Sequence, residues 1–155
     1  MSEPVDEAPV RRFVRAGEFR WDGVDLTRYK DERAAPFRDV TRQTLFKRPD
    51  MQGELRYFEV APGGHSTLER HVHAHAVLVL RGRGRVLVGR TIHAIAEHDL
   101  VSVAPRTWHQ FRADAGAPLG FLCMVDATRD KPELPDERAL AALHADPAIA
   151  SFLAG

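Results

Sequence analysis

Residues 64–84 read Gly-His-Ser-Thr-Leu-Glu-Arg-His-Val-His-Ala-His-Ala-Val-Leu-Val-Leu-Arg-Gly-Arg-Gly. Four of the eight histidines of the chain, His65, His71, His73 and His75, fall in this stretch, which leads from a Gly-Gly turn into an apolar segment. In an extended strand residues two apart project from one face, so Glu69, His71, His73 and His75 would point the same way. Imidazole and carboxylate together suit Zn, Fe, Mn, Ni, Co or Cu. A solvent-facing polar row is the competing reading, but such a row has no need of imidazole at alternate positions beside a Gly-Gly turn. Distance then restricts which members can share an ion. At ~3.3 Å per residue Glu69 and His71 lie about 7 Å apart, which two converging side chains can close. Glu69 and His75 would be about 20 Å apart on a straight strand, too far for one ion. Either the chain bends between His71 and His75, with 72–74 as the natural corner, or the ligands are a different set.

Outward from this stretch, another donor is available in Val103-Ala-Pro-Arg-Thr-Trp-His-Gln-Phe111, where a strand ends at Pro105 and His109 opens the next run. Short half-buried strands are predicted over 38–47 and 54–60, before Ala61-Pro62-Gly63-Gly64 breaks the chain. Further runs follow at 76–80, 85–88, 100–103 and 119–125. Turn signals separate them at Gly82, Gly84, Gly89, Glu97-His98-Asp99 and Ala115-Gly116. Many short strands so punctuated indicate a sandwich or barrel, an all-β domain. Isolated aromatics at Phe13, Phe19, Trp21 and Tyr29 predict a strand or two laid over the barrel or over a partner subunit. Asp136 can cap a helix over 137–144, and Asp146 with Pro147 can start a second short one. The expected organisation is a loose acidic arm over 1–12, a barrel over 13–130 and a helical tail over 131–155.

A chain of 155 residues fits one domain with one core. Its 22 basic and 22 acidic side chains give a formal net charge of +0 and no overall field for a phosphate backbone or an anionic membrane, so neither nucleic acid nor membrane is an expected partner. Cys123 is the single cysteine, which excludes an internal disulfide and cysteine-pair zinc sites and suits a reducing compartment. With a polar, acidic start and no apolar run of membrane-spanning length, the expectation is a soluble, unprocessed, cytoplasmic protein.

The two histidine stretches resemble the paired motifs of the cupin superfamily. The first of these is a glycine, a short gap, His-x-His, an acidic or polar ligand a few residues on, and a closing glycine; the second is Gly-Asp, a strand, a proline turn and a final histidine. Counting back from Gly82 places the three ligands of the first motif at Glu69, His71 and His75. His98-Asp99, Pro105 and His109 supply the second, with His98 where the family usually has glycine. The order departs from the commonest pattern, which has His first and Glu last, while the inventory of three His and one Glu is the same. A second register with His71 and His73 as the His-x-His pair leaves Val77 where a third ligand belongs. The chain is thus similar to small bacterial single-domain cupins that bind manganese or a related metal, over roughly 54–125.

This resemblance implies a double-stranded β-helix, or jelly-roll, barrel with short C-terminal helices. It also implies one divalent transition metal per chain (Mn, Fe, Ni, Zn, Co or Cu) held by Glu69, His71, His75 and His109, with His73 at the corner or behind the ligands. An octahedral ion with four protein ligands keeps two adjacent positions for water, O2 or a chelating substrate. Three neutral imidazoles and one carboxylate leave an M(II) site at +1, which favours a small anionic bidentate ligand. A dioxygenase-type oxidoreductase is the leading expectation, a metal-dependent lyase or isomerase the next, and a non-catalytic small-molecule module the third. No residue is singled out as the catalytic base; His73, Glu59 and Tyr57 are the groups considered. Phe121 and Cys123 alternate with Leu122 and Met124, so one pair faces inward; if it is the first, these two and Trp108 can shape the pocket. Small cupins commonly pair through edge strands, so a homodimer is expected.

Overall fold

Two long strands, each shared between neighbours on both sides, organise the molecule. The structure, a computed structural model, describes residues 9–11, 13–28, 38–126, 128 and 131–155. The elements are β1 (Arg15–Gly17), β2 (Arg20–Trp21), β3 (Leu26–Arg28), β4 (Arg38–Phe46), β5 (Gly53–His65), β6 (His75–Val88), β7 (Thr91–Ala96), β8 (Leu100–Val103), β9 (His109–Ala113), β10 (Leu119–Asp126), α1 (Glu137–His144) and α2 (Pro147–Ala154). Most of the expected N-terminal arm, and Tyr29, lie outside the described residues.

The first half of β6 pairs with β8 and β10, and its second half with β7 and β9. β10 also pairs with β5 along its whole length, and β5 meets β9 at His65↔Arg112, so the sheet closes on itself. β4 and then β3 extend it beyond β5. The expected jelly-roll barrel with two short C-terminal helices is therefore the fold.

Three local departures from the sequence reading have physical causes. Ala61–Gly64 continues β5 instead of breaking it, with Gly63 at φ 73 absorbing the irregularity. The runs at 76–80 and 85–88 are one strand: Gly82 sits at φ 72 within β6, and the pairing with β10 shifts register beside it. β7 lies between the turn signals at Gly89 and Glu97-His98-Asp99, in a stretch to which the sequence reading gave no strand, and pairs Ile92, Ala94 and Ile95 with β6. At the Glu97-His98-Asp99 stop, His98 adopts φ 74, the left-handed backbone that explains glycine at the equivalent place in the motif.

Inward-facing Val60, Val77, Val79, Val86, Phe111, Leu119, Phe121 and Val125 form the barrel core. Alternation along β10 sends Phe121 and Cys123 inside and leaves Met124 outside, settling the choice posed by that strand. A second cluster joins Leu143 of α1 and Ile149 and Phe152 of α2 to Leu68 and Leu87 of the barrel, with Trp108 packed against it. Asp136 caps α1 through Ala139 N at 2.8 Å, and Asp146 caps α2 through Ala148 N at 2.9 Å ahead of Pro147. Phe19 stacks on Tyr57 with ring centroids 5.3 Å apart and Trp21 meets the same ring edge-on, so the aromatic N-terminal segment lies over its own barrel.

Candidate metal centre

The bend required by distance falls between His71 and His75, where the chain leaves a bridge to β9 and turns through 72–73 before entering β6. Glu69 is anchored to His109 by reciprocal backbone hydrogen bonds, Glu69 N to His109 O at 3.1 Å and His109 N to Glu69 O at 2.9 Å. The two motifs are thereby zipped together at their functional residues. The backbone N–H of Arg106 donates to His71 O at 2.6 Å, which ties the proline turn to the ligand stretch as well.

One atom from each of His71, His75 and His109 lies within 4.8 Å of the others, and all three residues are buried. Ring centroids are 4.3 Å apart for His71 and His75, 5.3 Å for His75 and His109, and 5.5 Å for His71 and His109. Nδ1 of His109 lies 2.9 Å from Thr107 O; a proton there donates to the carbonyl and leaves Nε2 as the lone-pair donor. His75 Nε2 is buried and has no hydrogen-bond partner among the described residues, which a metal bond would satisfy. Burial, and then the imidazoles of His71, His109 and His73, push His75 down to about 3. Burial also lowers His109, outweighing the Thr107 carbonyl and Glu69, which act the other way. Both rings are neutral at physiological pH, the form that binds a metal. The donor set therefore fits a transition-metal ion.

Glu69 lines the same cavity, and its Oε1 stands 3.2 Å from His71 Nε2. His73 is buried and stacks on His75 at 4.7 Å with an interplanar angle of 6°, but does not line the cavity. Cys123 and Phe121 form part of the cavity wall, with Cys123 Sγ 3.9 Å from His75 Nδ1. Trp108 corrects the pocket expectation: it turns away beneath the Arg70 guanidinium, 4.4 Å from its ring, and packs on the tail cluster. The sequence reading missed Arg56, Phe58, Ser66 and Thr67, which also line the cavity. Alternation along β5 was available as a signal for Arg56 and Phe58, but an isolated arginine in a strand reads as an outward charge.

A barrel with three convergent buried histidines inside it, positioned to bind a metal ion, defines a small β-barrel protein of the cupin kind. The chain belongs to the cupin family: the Cupin domain model matches residues 56–125. It is 59% identical, over 100% of its own length and 98% of the relative's, to the 1-methylthio-D-xylulose 5-phosphate methylsulfurylase of Rhodospirillum rubrum. Among solved structures it is similar to a cupin-2 domain protein of Rhodospirillum rubrum, with a TM-score of 0.83 and 59% identity over 96% of this chain and 98% of that one. A cupin 2 conserved barrel domain protein of Rhodopseudomonas palustris gives a TM-score of 0.85 and 53% identity over 92% and 98% of the two chains.

Proposed function

We propose that this chain is a metal-dependent enzyme that breaks the carbon–sulfur bond of a methylthio ketose phosphate, of the class named by its Rhodospirillum rubrum relative. The observation that carries the reading is the 59% identity to that relative along the whole chain. The cavity is chemically suited to it. A 1-methylthio 2-ketose carries a ketone with a hydroxyl on the next carbon, a chelating pair, and places sulfur on the carbon at the other side of the carbonyl.

His71, His75 and His109 would hold the ion, with Glu69 as fourth ligand. Two ligand atoms at right angles around an ion at about 2.1 Å lie about 3.0 Å apart, close to the separation between Glu69 and His71. The bound ion would supply Lewis-acid polarisation of the carbonyl oxygen, so that a thiol attacking the methylthio sulfur would carry that group away as a mixed disulfide while the bond's electron pair stays on carbon, which takes up the proton the thiol gives up. Phe111 and Phe121, stacked at 4.6 Å, with Phe58 and Cys123 give the methylthio group an apolar, polarisable wall beside the histidines. Among the described residues Arg56 is the Arg or Lys that lines the cavity. Arg56 and Lys47 share the Glu54 carboxylate, at 2.7 and 3.2 Å, and Arg56 brings a guanidinium to the cavity that a phosphate could meet.

The test is turnover of 1-methylthio-D-xylulose 5-phosphate by protein loaded separately with Mn, Fe, Co, Ni, Cu or Zn, under argon and in air, with a small thiol in the buffer. Loss of the methylthio group under argon, followed by mass spectrometry, is expected with at least one ion. Turnover that requires O2 would return the reading to the dioxygenase type. No consumption with any ion, in either atmosphere, would leave a binding module.

A further inference from the structure

Thr67 is 3% exposed and lines the metal cavity, and its hydroxyl is buried with no hydrogen-bond partner among the described residues. Its neighbours account for themselves: Ser66 Oγ accepts from Phe111 N at 2.9 Å, and Ser66 N donates to Phe111 O at the same distance. Together with the Glu69–His109 bridge, these bonds clamp the 66–69 segment to β9 on both sides of Thr67. Thr67 stands two residues before Glu69 in this extended segment, so both side chains project to the cavity side. A buried, rigidly held hydroxyl without a partner is costly to the folded chain, and it is the kind of group a ligand satisfies.

We propose that the Thr67 hydroxyl is a specificity-determining contact, bonding an oxygen of a polyhydroxy ketone beside the metal ligands. The inference rests on the ketose phosphate reading of the cavity and goes beyond it by naming a residue that distinguishes hydroxylated ligands from apolar ones of the same size. Thr67→Val keeps shape and removes the hydroxyl; Thr67→Ser keeps the hydroxyl and removes the methyl.

The experiment is calorimetric titration of metal-loaded wild type and both variants with D-xylulose 5-phosphate, which lacks the methylthio group, alongside thermal unfolding without ligand and metal content. Thr67→Val is expected to keep its ion, to unfold at the wild-type temperature or above it, and to bind the probe about tenfold more weakly, as loss of one hydrogen bond implies. Thr67→Ser should bind within about threefold of wild type on the same scale. Equal binding by Thr67→Val, or a lower unfolding temperature with binding unchanged, would mean that the hydroxyl serves the protein and would overturn the proposal. Absence of wild-type binding would overturn it too. Turnover of the methylthio substrate is scored separately, so binding without turnover would sink the reaction while sparing the contact.

Discussion

At the scale of single residues, the centre is a set of histidines brought together by burial with a carboxylate beside them, and the members differ in what their removal should do. Alanine at His71, His75 or His109 takes away one of three atoms that lie within 4.8 Å of one another, and the ion should fall to background in mass-spectrometric metal content of tag-free protein. Glu69→Gln keeps the shape but not the charge, and should retain the ion with weaker affinity. His73→Ala removes a ring stacked behind His75 and should keep the ion, weakened by about 10–100-fold at most, as changes behind a ligand typically do. An ion held at full occupancy by His75→Ala would sink the ligand set. The chemistry of these residues was legible in the sequence because spacing and residue type carry it. What spacing cannot show is which side chain faces the cavity: Trp108 next to His109 packs on the tail cluster, while Thr67 and Arg56, with no motif about them, line the site.

At the scale of elements, the sequence gives the helices most clearly, since Asp136, Asp146 and Pro147 are local signals for local structure. Glycines mislead because they serve two purposes. Gly84 reads as a turn, yet it lies in the middle of β6, where a Cβ would come within 2.0 Å of the Arg112 carbonyl oxygen across the β6–β9 pair. Glycine is there for close approach between two backbones, a long-range cause that no local window contains. Gly84→Ala should accordingly cost about 2 kcal/mol or more, read as a lower urea midpoint; an unchanged midpoint would show that the strands can part freely. The tail is attached by equally specific means. Arg112 donates to the carbonyls of Leu153 and Gly155, while Phe152, 2% exposed, fills the cluster that backs Leu68 and Trp108, the chain neighbours of Glu69 and His109. Phe152→Ala should destabilise by about 3 kcal/mol in urea denaturation, and a loss under about 1 kcal/mol would mean that the helices merely lie on the barrel.

For the whole molecule, two properties follow from how the barrel is covered inside and out. On the outer face of β6, β8 and β10, Leu78 pairs with Leu100 and with Leu122, and Met124 lies beside Ala76; Leu100 is 67% and Met124 54% exposed. The expected homodimer would cover such a face, so light scattering at micromolar concentration should give twice the chain mass, and Leu78→Lys with Leu100→Lys should halve it; a wild-type monomer would remove the expectation. Inside, the metal-free protein buries His75 as a neutral ring held down to about 3, against an ordinary value of 6.5. The unfolded chain takes up that proton as pH falls through about 6.5, while the folded chain refuses it until about 3. Stability contributed by the neutral site is thus complete above about 6.5 and is lost progressively below it, by at most about 1.4 kcal/mol per pH unit for this group. Carboxylates add to the loss only lower down: burial raises Glu54, but its bonds to Arg56 and Lys47 win and hold it below 4.5. Urea denaturation of metal-free protein should therefore show stability already falling between pH 6.5 and 5, before ordinary carboxylates titrate. A profile flat across that interval would mean that the histidines are hydrated in the metal-free barrel, and that the ion enters an open site and not a dry one.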